Sequence, residues 1–306
     1  MRPALLRLDD ALARQATLAE RCGAADGVDV DARVLGPQLR LWSRPQALDS
    51  LQGCLDEGLP EGEEPVLTFF GSGDFHHVSV LLIARVLRQK SRLITVVHID
   101  NHPDWVKFGD GLHCGSWAAK AARMPGVDRV VTLGVCSADI RQPWRKRADL
   151  ALVRKGRIVL FAHGRKGDDA SFAIAGIARP TMAGLGEDSF IDHMLTKIRT
   201  QDVYLSVDKD ALDPQDAATN WDQGQMRLPY LRRIIAGLGA THRIVGADIC
   251  GDVSQPFYGG PLATRLLKRG ESWMDQPRRS ARGAYGETLN EHANLALLGD
   301  IMAAAA

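Results

Sequence analysis

Six short runs of apolar, largely β-branched residues punctuate the chain: "PVLTFFG" (65–71), "RLITVVHID" (92–100), "DRVVTLGV" (128–135), "RIVLFAHG" (157–164), "DVYLSVD" (202–208) and "HRIVGADI" (242–249). They are apolar at nearly every position and not merely at alternate ones. That pattern suits strands covered on both faces, the mark of a mostly parallel sheet. Amphipathic stretches lie between them: "VSVLLIARVLRQK" after the first run, "SFIDHMLTKIRT" before the fifth and "LPYLRRIIAGLG" before the sixth. Strands alternating with helices predict an α/β chain, a three-layer α/β/α fold around a mostly parallel central sheet. The first sixty residues, with an amphipathic start and Pro-punctuated segments, show no clear elements and are assigned to the same single domain, 1–306. "GRKGDD" and "ARPTMAGLGED" read as surface connections, and "GETLNEHANLALLGDIMAAAA" as a C-terminal helix after a polar, Arg-rich segment.

In such folds ligands bind outside the carboxyl ends of the strands. The first run exits into "GSGDFHH", the second into "HIDNHPDW" and the fifth into "LSVDKDALDP", so three strand ends carry clustered Asp and His. A turn explains part of this, since Asp213-Pro214 reads as turn initiation. It does not explain three clusters. Residues two apart in extended chain project the same way, so Asp100, His102 and Asp104 can converge, as can Asp208 and Asp210. Uncompensated, such carboxylates repel one another and some take up protons. Two divalent cations balance four aspartates, with neutral imidazoles filling further positions. A carboxylate-rich set with one or two imidazoles suits Mn²⁺ best, with Zn²⁺, Co²⁺, Ni²⁺ and Fe²⁺ as other candidates.

Composition narrows the partners to a small-molecule substrate. With 45% hydrophobic and 25% charged residues and a formal net charge of +1, the chain is an ordinary globular one with no long-range electrostatic footprint. The basic clusters "WRKR" and "RRSAR" are short enough to be solvated loops, so nucleic acid is not expected as a partner. Five scattered cysteines with no C-x-x-C pair indicate free thiols in a reducing compartment, hence a cytoplasmic protein. Acids inside the apolar stretch of the N-terminus argue against a signal peptide, and no uncharged run is long enough to span a membrane. "GSG" at 71–73 is only a fragment of a dinucleotide fingerprint, and neither a P-loop lysine nor a G-x-S-x-G elbow is present.

These motifs resemble the ureohydrolases, the arginase and agmatinase family. "DNHPD" looks like its D-x-H-x-D signature and "SVDKDALDP" its S-x-D-x-D-x-x-D-P signature, with "GSGDFHH" and "GLHCGSW" where the family has G-G-D-H and a downstream H-G segment. The resemblance covers about residues 65 to 260 and implies an arginase-like fold, a binuclear manganese site and a homo-oligomer. It makes His76, Asp100, Asp104 and Asp208 ligands of one metal and Asp100, His102, Asp208 and Asp210 ligands of the other, with Asp100 and Asp208 bridging. Phe75 is an extra residue relative to the family motif, so His77 stands as the alternative to His76. His113 matches the family's proton shuttle, a role open to a neutral imidazole. His98, inside a strand, is read as a core residue, Asp74 as supporting the loop or His76, and Asp213 as structural. The family's guanidinium-receiving glutamate is missing from "DICGDVSQP", which is one residue longer and offers Asp252 instead. The resulting expectation is a metal-dependent hydrolase that attacks a C–N bond of a guanidino substrate with activated hydroxide. The alternatives are an amide deacylase, or a metal-binding scaffold without turnover.

Overall fold

The computed structural model describes residues 1–164, 170–277 and 283–305. The "RRSAR" segment and all of "GRKGDD" except Gly164 lie outside the described residues. An eight-stranded sheet forms the middle layer, in the spatial order Val28–Asp31, Arg2–Arg7, Val66–Phe69, Arg243–Cys250, Asp202–Asp208, Ile94–Ile99, Val127–Val135 and Ile158–Ala162. Every neighbouring pair in it is parallel.

Six of these strands coincide with the six apolar runs. The two at one edge do not. Arg2–Arg7 is a strand in which Pro3 to Leu6 are all buried, although the same residues suggest an amphipathic start. Val28–Asp31 alternates half-buried valines with exposed aspartates, as an outermost strand should. A second departure is the antiparallel hairpin Ser171–Ile174 and Ile177–Pro180, which takes up the start of the supposed connection "ARPTMAGLGED".

Neighbouring residues of a strand point to opposite faces, and this splits the interior into two layers. Leu6, Val96 and Val130 pack on one side with Leu51, Ile83 and Trp117, while Leu5, Val97 and Val131 pack on the other with Ile234, Leu238 and Leu297. The expected helices form as Ser79–Gln89, which supplies Ile83, Leu228–Thr241, which supplies Ile234 and Leu238, Gly283–Ala304, which supplies Leu297, and Glu187–Leu195. Leu51 and Trp117 come from Pro45–Gly58 and Trp117–Ala121.

Four adjacent central strands end close together at their carboxyl ends. Phe69 pairs with Ile249, Asp208 with Cys250, and Val207 with Ile99. The segments that leave these ends, 70–76, 251–252, 209–213 and 100–104, therefore emerge side by side.

Candidate metal centre

Asp100, Asp104, Asp208 and Asp210 are all buried at these strand ends, with His76 beside them and His102 nearer the surface. All six line one cavity of about 290 Å³. His76 Nδ1 lies 3.0 Å from Asp100 Oδ2, 3.4 Å from Asp208 Oδ2 and 3.6 Å from Asp104 Oδ2. It makes no aligned hydrogen bond with any of them. His102 Nδ1 lies 2.8 Å from Asp210 Oδ2 and 3.5 Å from Asp100 Oδ1. Asp100 thus faces both imidazoles.

Local backbone chemistry makes this convergence possible. Asp208 caps the turn after its strand by accepting the Asp210 N–H at 2.9 Å. Asn101 donates its N–H to Asp210 at 2.9 Å. Gly73 passes so close to Asp208 that a β-carbon there would lie 2.5 Å from Oδ2. Gly251 is equally constrained, with φ +94° and only 2.4 Å from a notional β-carbon to Asp208 Oδ1. Asp104 adopts a left-handed φ of +46°, uncommon outside glycine and found at functional sites.

Hydrogen bonds behind the cluster fix its imidazoles. Ser206 Oγ donates to Asp248 Oδ1 at 2.7 Å and receives His76 Nε2–H at 2.9 Å. The network therefore places the ring proton on Nε2 and leaves the Nδ1 lone pair turned toward three carboxylates. Such a lone pair, buried among negative charge, calls for a cation. Burial opposes protonation of His76, but neighbouring groups including Asp100 and Asp208 raise its pKa well above the usual range, so without a metal a second proton would fill this need. Burial, together with Asp100, pushes the Asp104 and Asp210 carboxyls well up. Burial also opposes ionisation of Asp100, yet His98, His102 and His76 hold its carboxyl well down. These are the consequences of packing acids around a point that a divalent ion would neutralise.

Three overlapping donor groups among the described residues could hold a metal ion: His76, His98, Asp100 and Asp104; His76, Asp208 and Cys250; and Asp100, His102 and Asp210. Carboxylate oxygens and imidazole nitrogens predominate, which suits a hard or borderline divalent cation. Cys250 also reaches the cluster, but its Sγ donates to Asp208 Oδ2 at 3.3 Å and burial pushes the thiol well up, which disfavours a thiolate site.

The two neighbouring histidines differ in direction. His76 faces the carboxylates, whereas His77 is turned to Ser43, with Nε2 2.6 Å from its Oγ. Asp74 anchors the loop: it takes Arg40 Nη1 at 2.6 Å, Trp221 Nε1 at 3.0 Å and Gln276 Nε2 at 2.6 Å. Asp213 receives the Gln215 N–H at 2.9 Å within a turn. His98 is buried in its strand as expected, yet it also bonds the site, with Nε2 2.8 Å from Asp100 Oδ2.

Asp252 requires a correction, because the structure does not bring it to the cavity. Beyond the strand end the left-handed Gly251 redirects the backbone, and the Asp252 carboxylate lies 2.9 Å from the buried Lys209 Nζ. The ion pair uses its charge internally, so it is not available to receive a substrate guanidinium.

Ser206, which opens the S-x-D-x-D-x-x-D-P stretch, and Asp248 and Asp222, which carry no motif, position the two imidazoles, the last with Oδ1 2.9 Å from His102 Nε2. Glu271, on the helix Leu262–Asp275, lines the cavity and hydrogen-bonds His113 Nε2. His113 Nδ1 accepts the Gly115 N–H at 2.8 Å, so the proton of the neutral ring sits on Nε2 and points to Glu271. This helix is inverted: Lys268 is buried while Leu262, Leu266, Leu267, Trp273 and Met274 are exposed. A polar inner face and an apolar outer one were the available sequence signal.

The Arginase family model matches residues 1–254. A solved arginase from Bacillus cereus superposes with a TM-score of 0.62 at 15% identity, covering 98% of this chain and 97% of that one. A hypothetical agmatinase from Burkholderia thailandensis gives a TM-score of 0.57 at 14% identity, covering 99% and 87%. An uncharacterized protein of Thermotoga maritima is 26% identical over 204 residues, which is 65% of this chain and 65% of that relative. The match thus spans just under two thirds of the relative's length.

Proposed function

Because the chain belongs to the arginase family, we propose that it is a two-metal hydrolase acting on a C–N bond of a guanidino compound. The observation that carries this reading is the buried His76 Nδ1, with no aligned hydrogen bond, facing Asp100, Asp104 and Asp208, with a second imidazole–carboxylate group about His102. His76, Asp100, Asp104 and Asp208 would hold one ion, and Asp100, His102, Asp208 and Asp210 the other. Bound there, divalent cations, with Mn²⁺ the best match to these donors, would lower the pKa of water to supply a nucleophile near neutral pH and stabilise developing charge.

The chain's own residues supply the rest. Ser206 and Asp222 hold the imidazoles in register, and Trp105, Phe108 and Trp221 line the cavity and restrict water. His113 lines the cavity against Glu271; a neutral imidazole there can take up the proton released from water and, as the imidazolium, return it to a departing nitrogen. Donors on both sides of Asp100, His76 and Asp104 on one and His102 and Asp210 on the other, favour this reading over an amide deacylase with a single ion. The five cysteines are free thiols, which supports a cytoplasmic location. Among the described residues, no helix is long and apolar enough to cross a membrane. The exposed apolar face of Leu262–Asp275 supports a homo-oligomer, and sedimentation at the mass of a single chain would contradict that assembly.

The test loads the protein with Mn²⁺ and measures urea release from a panel of guanidino compounds. Urea is the expected product. Amide hydrolysis with one bound ion would favour the deacylase, and firm metal binding without turnover on either class would leave a scaffold.

A further inference from the structure

The turn that carries Asp208 and Asp210 is gripped from behind by a side chain the metal centre does not use. Lys209 lies between the two aspartates, is fully buried and is turned to the C-terminal helix. Its Nζ is 2.9 Å from Asp252 Oδ1 and donates to Asn294 Oδ1 at 2.6 Å. Asn294 belongs to the helix Gly283–Ala304, and its own Nδ2 donates to Gln15 Oε1 at 2.7 Å. One turn earlier on that helix, Asn290 holds the backbone of Ala218 twice. It accepts the Ala218 N–H at 2.9 Å and donates to the C=O at 2.7 Å. The chain runs on from Ala218 to Asp222, whose Oδ1 is 2.9 Å from His102 Nε2.

Residues four apart share a helix face, so one polar face meets both the metal-bearing turn and the segment behind His102. Both asparagines are buried. Their presence is costly, because asparagine is a poor helix former and a buried amide is tolerated only with its hydrogen bonds made. Ala293, Leu297 and Ile301 of the same helix pack in the apolar layer instead. We propose that Asn290, Asn294 and Lys209 are positioning residues, through which the C-terminal helix clamps both sides of the metal centre. Lys209 shares its peptide bonds with Asp208 and Asp210, so any play in its side chain is passed to both carboxylates. The helix lies beyond the residues matched by the family model. This inference rests on the reading of the site as a metal centre.

Asn294→Ala leaves the Lys209–Asp252 ion pair in place and tests the clamp, while Leu297→Ala removes apolar packing from the same helix and serves as the stability control. Two quantities are read on the full-length chain: hydrogen exchange of residues 208–213 without metal, and Mn²⁺ affinity by chelator competition. Asn294→Ala should speed exchange in that turn and weaken Mn²⁺ binding about tenfold or more. Leu297→Ala should leave both near wild type even where it lowers the denaturation midpoint as far. Asn290→Ala, which spares Lys209, should show the same pattern at residues 216–222, and it decides the inference where Asn294→Ala does not fold. Mn²⁺ affinity within about threefold of wild type in the asparagine variants, or the same losses in Leu297→Ala, would overturn the clamp while leaving the metal centre intact. If wild type binds no Mn²⁺, the metal reading itself fails, and exchange alone then decides: faster exchange confined to the asparagine variants sustains the clamp, and an equal response in all three overturns it.

Discussion

Replacing Ser206 with Ala removes a hydroxyl that touches no expected ligand atom, yet it should weaken metal binding. Ser206 Oγ joins His76 Nε2 at 2.9 Å to Asp248 Oδ1 at 2.7 Å, and all three side chains are buried. Without the hydroxyl, His76 loses the acceptor that keeps its proton on Nε2, and the Nδ1 lone pair is no longer held toward Asp100 and Asp208. Loss of such a supporting hydrogen bond typically lowers metal affinity about 10–100-fold, or about 1.4–2.7 kcal/mol. Asp248 keeps the Tyr204 hydroxyl at 2.7 Å, so the fold should lose only about 1–3 kcal/mol. Competition titration of Mn²⁺ against a chelator measures the first quantity, and urea unfolding of metal-free protein the second. A variant whose Mn²⁺ affinity stays within about threefold of wild type, whatever its stability, would refute the argument, since that argument ties ligand geometry to the tautomer.

Other perturbations address different parts of the site. His113→Asn should lower turnover by roughly 10²–10⁴-fold with metal content nearly unchanged, and an equal loss of metal by elemental analysis would make His113 a structural residue instead. Asp252→Ala should cost about 3–5 kcal/mol in chemical denaturation, because it leaves Lys209 buried without its counter-charge; a stable variant with abolished urea release would instead restore Asp252 to the site. Burial pulls the Lys268 ammonium down to about 8, from an unfolded-chain value near 10.5. Between these values the unfolded chain holds the proton that the folded one has released, so the Lys268 contribution to stability rises with pH, by about 2 kcal/mol from pH 8 to pH 10. The stability difference between wild type and Lys268→Met should move by that amount over this window, and a flat difference would show that Lys268 titrates normally.

Sequence legibility tracked how self-contained each signal is. A strand buried on both faces writes its burial into every residue, and the six apolar runs matched six strands. Arg2–Arg7 contains Pro3, and Val28–Asp31 spends every second position on an exposed aspartate, so neither has that local signature. The acid and histidine clusters were readable because strand ends concentrate them. Their supports followed a weaker rule that was nonetheless available: His98 and Asp100, Ser206 and Asp208, and Asp248 and Cys250 are each two apart and share a face. The choice between His76 and His77 needed the direction of a 3₁₀ turn, which no spacing supplies. Asp252 was misjudged because its partner, Lys209, lies on another strand end, and Glu271 reaches His113 across more than a hundred and fifty positions.

Metal stoichiometry in the wild type and in Asp208→Ala tests the central claim most directly. Asp208 lies 3.4 Å from His76 Nδ1 and accepts the Asp210 N–H at 2.9 Å, so it adjoins both His76 and Asp210. Elemental analysis after Mn²⁺ loading and desalting should find two ions per wild-type chain and a loss affecting both in Asp208→Ala. One ion in the wild type, or two retained in the variant, would contradict a two-metal centre bridged by Asp208.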